Sequence, residues 1–319
     1  MIGKDIFHAA NLLKQGDVVA IPTETVYGLA GNAFNTDAVL KIFTVKNRPH
    51  FNPLIVHTNT IEKIESFITS FPQELKKLAS LWPGPITILL PKSNKIHDLI
   101  TAGAAHVAVR IPNHPLTLEL LSNLDFPLCA PSANPFGYIS PTTAVHVEKQ
   151  LGDKISYILD GGQCDVGIES TIIKLNINNK IEILRTGGIP TEQIASITGY
   201  QPEIEVYSER PDAPGMLKSH YSPSIPLIIG DINTLLENYN TKKIALLNFN
   251  KPVQHASVIF QITLSPKGNL NEAATNLFSA LHELDASNAE IIIATRVPDI
   301  GIGKAINDRL MRAAANKHF

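Results

Sequence analysis

Apolar segments of two kinds alternate along the chain. Short runs rich in β-branched residues predict buried strands, among them DVVAI, PLIVH, ITILLP, HVAVR, YILDGG, STIIKL and IEILR. Longer segments with apolar residues three or four positions apart predict helices, among them NTDAVLKIFTVKNR, HPLTLELLSNL and TAVHVEKQL. This mixture indicates an α/β protein with a largely twisted open sheet. Because INNKIE joins two predicted strands as a hairpin, we expect a mixed sheet.

Composition changes near residue 208. The segment SERPDAPGMLKSHYSPSIP holds four prolines and follows neither a strand period nor a helix period, so it predicts a linker. Beyond it, four further strand-like runs alternate with helical segments: PLIIG, KIALLNF, SVIFQI and AEIIIAT. We therefore predict a larger domain over residues 1–207, a linker over 208–225 and a smaller βαβ-type domain over 226–319.

Composition and charge exclude several classes of protein. The hydrophobic share of 44% and the charged share of 18% are those of a soluble globular protein. A net charge of -2 gives no overall attraction to nucleic acid or membranes. No apolar run approaches the roughly 18 residues of a membrane span, and the charged N-terminal segment does not resemble a signal peptide. Cys129 and Cys164 are isolated, which suggests neither a disulfide framework nor a zinc site. We expect a cytoplasmic protein without membrane contact.

The candidate chemistry lies in five polar clusters, all before residue 222. The first, PTETVYGLA, follows a predicted buried strand with two threonines, a glutamate and a tyrosine, and includes Thr25. Buried hydroxyl and carboxyl groups require hydrogen-bond partners. The sequence leaves open whether the protein or a ligand provides them.

The second cluster, KNRPHFNPLIVH, carries positive charge next to prolines that keep the backbone extended. Its candidate binding residues are Lys46, Arg48, Asn52 and His57. A rigid loop of this kind suits a polyanion. The alternative is a solvated helix end, where basic side chains interact favourably with the helix dipole.

The third cluster, HVAVRIP, places Arg110 in an alternating apolar strand, on the same side as Ala108 and His106. An arginine in such a strand is rarely left unpaired. Its planar guanidinium therefore binds either an internal carboxylate or the carboxylate of a ligand.

The last two clusters are APSANPFGYISPTT and DGGQCDVGIESTI, the latter followed by LRTGGIP. They contribute candidate binding residues at predicted strand ends: Ser132, Asn134, Ser140, Ser170, Thr171 and Arg185. Loops at strand ends are a common place for ligand contacts in open α/β sheets, although serine and asparagine also make ordinary turns.

No cluster contains a nucleophile paired with a base. The chain has no GxSxG, no HExxH and no Walker A loop, and its two cysteines do not neighbour a histidine in sequence. The segment GIGKAI lacks the spacing of a phosphate-binding loop and has no hydroxyl residue after Lys304. Covalent catalysis is therefore not indicated.

The order of the motifs resembles the threonylcarbamoyl-AMP synthase family in its long form. The resemblance rests on PTETVYGLA, KNRP, NPLIVH, WPGPITILL, VAVRIPNHP, APSANPFGYISPTTAVHV, LDGGQCDVGIESTII, ILRTGGIP, APGMLKSHYSP and GIGKAINDRLMRAA. It implies a catalytic domain of the YrdC type with a twisted open mixed sheet, a linker and a smaller Rossmann-like C-terminal domain. Thr186 stands where proline is expected, and Cys129 where alanine is common; neither change removes a charged or donor side chain.

The resemblance also implies an activity. The family joins L-threonine, bicarbonate or CO2 and ATP into threonylcarbamoyl-AMP and releases pyrophosphate, a nucleotidyltransferase reaction. The product supplies the tRNA threonylcarbamoyltransferase machinery that forms N6-threonylcarbamoyladenosine at position 37. A threonine carbamate can attack the α-phosphate directly, which explains the absence of a nucleophile.

Family roles transfer to residues at matching positions. On the threonine side the resemblance implies Thr25, His57, Arg110, the Ala130 backbone and Ser170. On the ATP side it implies Lys46, Arg48, Asn52, the His106 backbone, Ser132, Ser140, Arg185, and either His220 or Tyr221 from the linker. It implies that Mg2+ accompanies ATP, bound by phosphate oxygens and water rather than by side chains, and that no organic cofactor is required.

Two other functions were compared with this one. A non-catalytic RNA-binding module would use the same basic pocket for phosphates, but near-neutral charge and an aromatic content of 6% favour at most weak RNA binding. Carbamoyl transfer in hydrogenase maturation uses a related domain together with zinc-finger cysteine pairs, which two isolated cysteines do not provide.

Overall fold

Two hydrogen-bonded sheets form the framework of the computed structural model, which describes residues 1–205, 213–216 and 220–315. The strands of the larger sheet are, in chain order, β1 (Ile2–Gly3), β2 (Val19–Ile21), β3 (Gly28–Asn32), β4 (Ile55–His57), β5 (Ile86–Pro91), β6 (His106–Arg110), β7 (Leu128–Cys129), β8 (Tyr157–Leu159), β9 (Thr171–Leu175), β10 (Ile181–Arg185) and β11 (Glu203–Ile204). They lie side by side in the order β1-β8-β2-β3-β7-β4-β6-β5-β9-β10-β11. Parallel and antiparallel pairs both occur, so the predicted mixed sheet is confirmed.

Short helices accompany this sheet. They are α1 (Ile6–Lys14), α2 (Thr36–Lys46), α3 (Ile61–Glu65), α4 (Gln73–Leu78), α5 (Asp98–Thr101), α6 (Pro115–Ser122), α7 (Ala144–Leu151) and α8 (Thr191–Thr198), with a 3-10 turn at Ala79–Leu81. Helix α2 shows how the sequence sets their limits. The Asn35 side chain accepts hydrogen bonds from the first turn, and Asn47 ends the helix in the left-handed conformation. The helix therefore ends directly before Arg48.

The sheet brings several polar strand ends to one place. Strands β4 and β6 are parallel, with His57 directly opposite Arg110 at their carboxyl ends. Strands β2 and β3 are antiparallel, so residues 22–27 form the connection between them. The hairpin partners β9 and β10 place Ile172 opposite Arg185, which brings Ser170 close to Arg185. Connections that are distant in sequence therefore converge at the ends of neighbouring strands.

The smaller sheet is entirely parallel. Its strands are β12 (Leu227–Ile229), β13 (Ile244–Asn248), β14 (Val258–Thr263) and β15 (Ile291–Ala294), in the order β12-β15-β13-β14. Helices α9 (Ile232–Asn238), α10 (Leu270–Asp285) and α11 (Gly303–Ala314) complete this unit. The structure thus confirms the predicted α/β fold with a second, smaller unit. Among helices of the described chain, none is both long and apolar enough to cross a membrane.

The sequence pattern did not predict five elements: β1, β3, α5, α8 and β11. Strand β3, with the sequence GLAGN, lacks the β-branched residues that mark its neighbours. Its small residues are required by close packing, because a Cβ added at Gly28 would lie 3.1 Å from the Ala130 Cβ, and one at Gly31 would lie 3.2 Å from Ile42. Close backbone approach explains these glycines better than strand propensity does.

The linker is partly described and is packed against the larger sheet. Ala213 and Met216 are buried in one cluster with Ile55, Ala108 and Leu184, on a single face of the sheet. Residues 206–212, 217–219 and 316–319 lie outside the described residues. The domain boundaries at 207 and 225 stay predictions.

Polar contacts join α10 of the smaller unit to the larger one. The Tyr138 hydroxyl donates to Asp285 at 2.5 Å, and the Thr275 hydroxyl donates to the Asp165 carbonyl at 2.6 Å. The rings of His146 and His282 lie 4.2 Å apart between centroids. Burial lowers the pKa of His146 to about 3 and that of His282 to about 4, so this contact requires both rings to be neutral.

We expect acid to weaken this contact. The folded protein favours neutral rings, so the unfolded chain binds protons first, and stability falls as pH drops below about 6.5. For His282 the loss between pH 6.5 and pH 5 is up to about 2 kcal/mol. Thermal unfolding of the wild type and His282→Gln from pH 7.5 to pH 5 measures it. The unfolding temperature of His282→Gln should depend less on pH than that of the wild type, whereas the change at exposed His8 (His8→Gln) should leave the wild-type dependence. Equal slopes of unfolding temperature against pH for all three proteins would contradict the prediction.

Candidate functional site

A small cavity lies where the polar strand ends converge. It encloses about 50 Å³. Its lining residues come from the larger unit and from the linker: Thr23, Thr25, Val26, Gly28, Arg48, Ile55, His57, Arg110, Ala130, Pro131, Ser132, Glu169, Ser170, Arg185, Pro214, Gly215, His220 and Tyr221. Cationic and hydroxyl side chains dominate the polar part of this lining, which favours an anionic ligand.

The connection between β2 and β3 forms one wall. The Thr23 hydroxyl donates to the Val26 carbonyl at 2.7 Å and accepts from the Thr25 amide at 3.1 Å, which fixes the turn. The Thr25 hydroxyl in turn accepts a hydrogen bond from Nη1 of Arg110 at 2.9 Å. The protein itself therefore provides a partner for Thr25, and that partner is a buried guanidinium.

Arg110 has an internal carboxylate beside it. Its Nη2 lies 2.8 Å from Oε1 of Glu24, with both side chains about 95% buried. The two groups are close enough for an ion pair but not aligned for a directed hydrogen bond. Its Nε donates to the Gly84 carbonyl at 3.3 Å. One of the two partners considered for Arg110, an internal carboxylate, is thus present, and the guanidinium still faces the cavity.

His57 lies beside Arg110 at the end of the parallel strand pair. Burial, and then the charge of Arg110, lower the pKa of His57 to about 3, so its imidazole is neutral near pH 7. None of the described residues supplies a hydrogen-bond partner for its buried Nδ1. A buried polar atom without a protein partner is expected where a ligand binds.

Arg48 and Lys46 stabilise the loops around the cavity. Arg48 donates from Nε to the Asn52 carbonyl at 3.2 Å and from Nη2 to the Pro53 carbonyl at 2.8 Å. Lys46 donates to the carbonyls of Ser132 and Asn134. Burial and the charge of Arg48 lower the pKa of Lys46. The lysine therefore acts on the cavity through the position of Ser132.

Arg185 and Ser170 form the opposite wall. Arg185 donates to the Ser170 carbonyl at 3.0 Å and to its hydroxyl at 3.1 Å, and the same hydroxyl lies 2.7 Å from that of Thr87. A further bond from Arg185 to the Pro214 carbonyl at 3.2 Å connects this wall to the linker. Burial lowers the pKa of Arg185 to about 10, so it remains a cation at neutral pH.

Glu169 is the carboxylate among the described lining residues. It accepts from the Ser140 hydroxyl at 2.7 Å and from Nε of Arg309 at 2.8 Å. Burial would raise the pKa of Glu169, but the charges of Arg309 and Arg185 outweigh it and lower that pKa to about 2. Because both oxygens already have partners, Glu169 is poorly placed to serve as a metal ligand or a general base.

Two linker residues close the cavity. Tyr221 has a positive φ of 66°, unusual for a residue other than glycine, and lies directly after His220. Burial lowers the pKa of His220 to about 3, and its buried Nδ1 has no partner among the described residues. Both side chains line the cavity, so the structure does not choose between them as a nucleotide contact.

The structure brings most of the expected residues together. Of the residues expected to bind threonine, the cavity lining includes Thr25, His57, Arg110, Ala130 and Ser170; of those expected to bind ATP, it includes Arg48, Ser132, Arg185, His220 and Tyr221. Lys46, Asn52 and Ser140 lie behind the lining, each bonded to one of its members. The roles of all these residues in binding stay predictions.

His106 lies elsewhere. It begins β6 and is exposed, four residues and roughly 13 Å from Arg110 along the strand. It lines a separate surface cavity with Lys174 and Glu182. The expected contact of the His106 backbone with ATP stays a prediction that this position does not support.

Sequence reasoning missed three charged residues around the cavity: Glu24 as a partner of Arg110, Glu169, and Arg309. A signal existed for Arg309. It lies three residues after Ile306 and four before Ala313, on the apolar face of α11, and it is completely buried. A charged residue on such a face requires a partner. Glu24 and Glu169 lie in two of the polar clusters, but nothing in the sequence pairs either of them with a buried arginine.

Comparisons with known proteins cover nearly the whole chain. A family model described as "Telomere recombination" matches residues 11–187, and one described as "Threonylcarbamoyl-AMP synthase, C-terminal domain" matches residues 189–315. The chain is 39% identical to a threonylcarbamoyl-AMP synthase of Bacillus subtilis, over 98% of this chain and 93% of that protein. It is 38% identical to one of Pyrococcus abyssi, over 96% of this chain and 93% of that protein.

A solved structure agrees with the fold. The crystal structure of P. abyssi Sua5 complexed with L-threonine superposes with a TM-score of 0.91 at 36% sequence identity. The match covers 98% of this chain and 97% of that one. The likeness therefore includes both sheets.

Proposed function

The chain belongs to the threonylcarbamoyl-AMP synthase family, and we propose that its cavity joins L-threonine, bicarbonate or CO2 and ATP into threonylcarbamoyl-AMP, with release of pyrophosphate. The observation that carries this proposal is the convergence of Arg48, Arg110, Ser132 and Ser170, from four separate segments, on one cavity. The product would supply the tRNA threonylcarbamoyltransferase machinery.

Threonine would bind beside His57 and Arg110. The guanidinium of Arg110 suits the threonine carboxylate, because its fork matches two carboxylate oxygens. Neutral His57 provides a free ring nitrogen nearby. Thr25, Ser170 and the Ala130 backbone would complete this side. Glu24 limits the excess positive charge at Arg110, so binding does not depend on an isolated buried cation.

The reaction needs no nucleophile from the protein. The threonine amine and bicarbonate form a carbamate and release water. A carbamate oxygen then attacks the α-phosphorus of ATP, and the bond to the leaving pyrophosphate breaks. The site would accelerate this step by orienting the two anions and stabilising the charge on the transferred group.

ATP would lie on the side of Arg48 and Arg185. Both side chains are buried cations whose hydrogen bonds go mainly to backbone carbonyls. The ionised carboxylate near Arg185, Glu169, is already paired with Arg309, so it offsets only part of their positive potential. Ser132 would contact the nucleotide from the lining and Ser140 from directly behind it, beside Glu169, with Asn52 and Lys46 supporting them. Mg2+ would enter with ATP as part of the substrate. The cavity-lining carboxylate, Glu169, already has partners on both oxygens, which fits a metal bound by phosphates and water.

The linker would have to move for this ligand pair to bind. The cavity encloses about 50 Å³, whereas pockets for small ligands usually enclose about 300–1,000 Å³. Pro214, Gly215, His220 and Tyr221 form the part of the wall outside the sheet. Displacement of these residues would open the site, and their return would exclude water from the reacting groups.

The defining test is pyrophosphate release in the presence of ATP and Mg2+. We expect release only when threonine and bicarbonate are both present, because the attacking group is the carbamate that they form together. Mass spectrometry should identify threonylcarbamoyl-AMP as the product. Omission of either substrate is the control. Tight, salt-sensitive RNA binding without any such turnover would instead support an RNA-binding module.

A change at Arg110 should affect threonine specifically. Arg110→Ala removes a charged hydrogen-bond donor, which costs roughly 1.5–3 kcal/mol or more and corresponds to at least about a tenfold rise in the threonine KM. The control is Arg296→Ala, which changes an exposed arginine of the smaller unit. Normal threonine dependence in a folded Arg110→Ala protein would show that the carboxylate binds elsewhere.

Removal of the linker together with the smaller unit should weaken ATP binding. A chain ending at residue 207 lacks the wall formed by Gly215 and Tyr221, so we expect a higher KM for ATP and slower turnover. In the full chain, Gly215→Ala tests the same wall without truncation. Gly215 has a φ of 88°, and an added Cβ would lie 2.8 Å from Cδ of Arg185. Unchanged kinetics in both proteins would mean that the linker does not act on the nucleotide.

A further inference from the structure

The last helix reaches the rear of the nucleotide side with one fully buried arginine. Arg309 has no exposed surface. Its Nε donates to Oε2 of Glu169 at 2.8 Å, its Nη2 to the Thr186 carbonyl at 2.9 Å, and its Nη1 to Asp308 at 2.7 Å. A charge removed from water to this degree is tolerated only with close partners in good geometry. Arg309 is thus rigidly fixed between the two units.

Glu169 connects Arg309 to the cavity. Its other oxygen accepts from the hydroxyl of Ser140 at 2.7 Å. Ser140 is one of the residues proposed to contact ATP, and Glu169 itself lines the cavity. A chain of two directed bonds therefore runs from α11 to a nucleotide-side hydroxyl. Without the cation, Glu169 would be a buried carboxylate with a much weaker reason to remain ionised.

The same helix also binds the linker. The guanidinium of Arg309 lies 5.3 Å from the centre of the Tyr221 ring, within range of a cation–π contact. The amide of His220 donates to the Arg312 carbonyl at 3.3 Å, and the hydroxyl of Ser222 donates to the Ala313 carbonyl at 3.2 Å. The described linker residues next to the cavity are thus attached to the smaller unit as well as to the larger one.

A second interdomain ion pair on α11 behaves differently. Lys304 lies 2.6 Å from Glu192, but both side chains are partly exposed, and neither residue lines the cavity. Exposed pairs of this kind contribute little. A substitution of Lys304 therefore serves as a control. It removes a contact between the two units without changing a residue of the site.

We propose that Arg309 is a positioning residue for the nucleotide side of the synthase site: it fixes Glu169, and through Glu169 the Ser140 hydroxyl, while it supports Tyr221 of the linker. This inference rests on the proposed function. It assigns to the smaller unit an indirect part in ATP binding, which α11 exerts through its contacts with Glu169 and Tyr221.

The test compares Arg309→Met with Lys304→Met in the full chain. Isothermal titration calorimetry with Mg-ATP gives the dissociation constant, and steady-state pyrophosphate release gives KM for each substrate. For Arg309→Met we expect ATP binding weaker by about tenfold or more, because a charged hydrogen bond is lost, and a much smaller change in the threonine KM. Lys304→Met should match the wild type in both. Equal ATP affinity in the two variants, or equal rises in both KM values, would overturn the proposal.

A pH profile provides a readout that a merely structural role would not change. In the wild type, ionised Glu169 faces Arg309, Arg185, His220 and Tyr221. Without Arg309, burial raises the pKa of Glu169, and a protonated carboxyl no longer accepts from Ser140 in the same way. The loss of ATP affinity in Arg309→Met should therefore deepen as pH falls from 8 to 6. A loss of ATP affinity that does not change with pH would mean that Arg309 has only a structural role.

Two further variants cover the case in which Arg309→Met does not fold. Arg309→Lys keeps the charge but loses the bond to the Thr186 carbonyl, and Glu169→Gln removes the carboxylate that Arg309 positions. Both should weaken ATP binding, and wild-type affinity in both would overturn the proposal. Failure of wild-type turnover would contradict the proposed synthase activity, whereas the calorimetric ATP affinities would still decide the role of Arg309.

Discussion

The site depends on keeping several positive charges buried around one cavity. Each guanidinium removed from water must recover its lost hydration from fixed oxygens, at a cost of several kcal/mol if it does not. The buried arginines meet this demand in two ways. Arg48 and Arg185 donate mainly to backbone carbonyls. Arg110 and Arg309 also pair with carboxylates. The irregular loops between strands are what bring these carbonyls close.

This arrangement suits a reaction between anions. A carbamate and a triphosphate repel each other in water, and a wall of fixed cations reduces that repulsion without moving during the reaction. The neighbouring histidines contribute differently, because burial keeps the imidazoles of His57 and His220 neutral near pH 7. They can donate or accept a hydrogen bond without adding charge. A site with this division of roles positions its substrates and needs no protein nucleophile.

The sequence predicted the elements better than it predicted the contacts. The continuous apolar run ITILLP predicted a buried strand, and that prediction was confirmed, whereas the glycine-rich strand β3 has no such run. Candidate residues were found because polar groups interrupt apolar runs. Their partners could not be found in this way: Thr25 and Arg110 are 85 positions apart, and Glu169 and Arg309 are 140 apart. Periodicity identifies a face but carries no information about which distant segment covers it.

The apolar core explains why the smaller unit belongs to the site. One buried cluster joins Val26, Ile139 and Ile168 of the larger unit to Phe278 of α10 and to Tyr221 of the linker. Val26 lies in the connection that carries Thr25, and Ile168 directly precedes Glu169. Burial of these apolar side chains stabilises both walls only when the smaller unit is in place. The cavity is therefore assembled by packing between the two units, and the buried charge of Arg309 lies within that same contact.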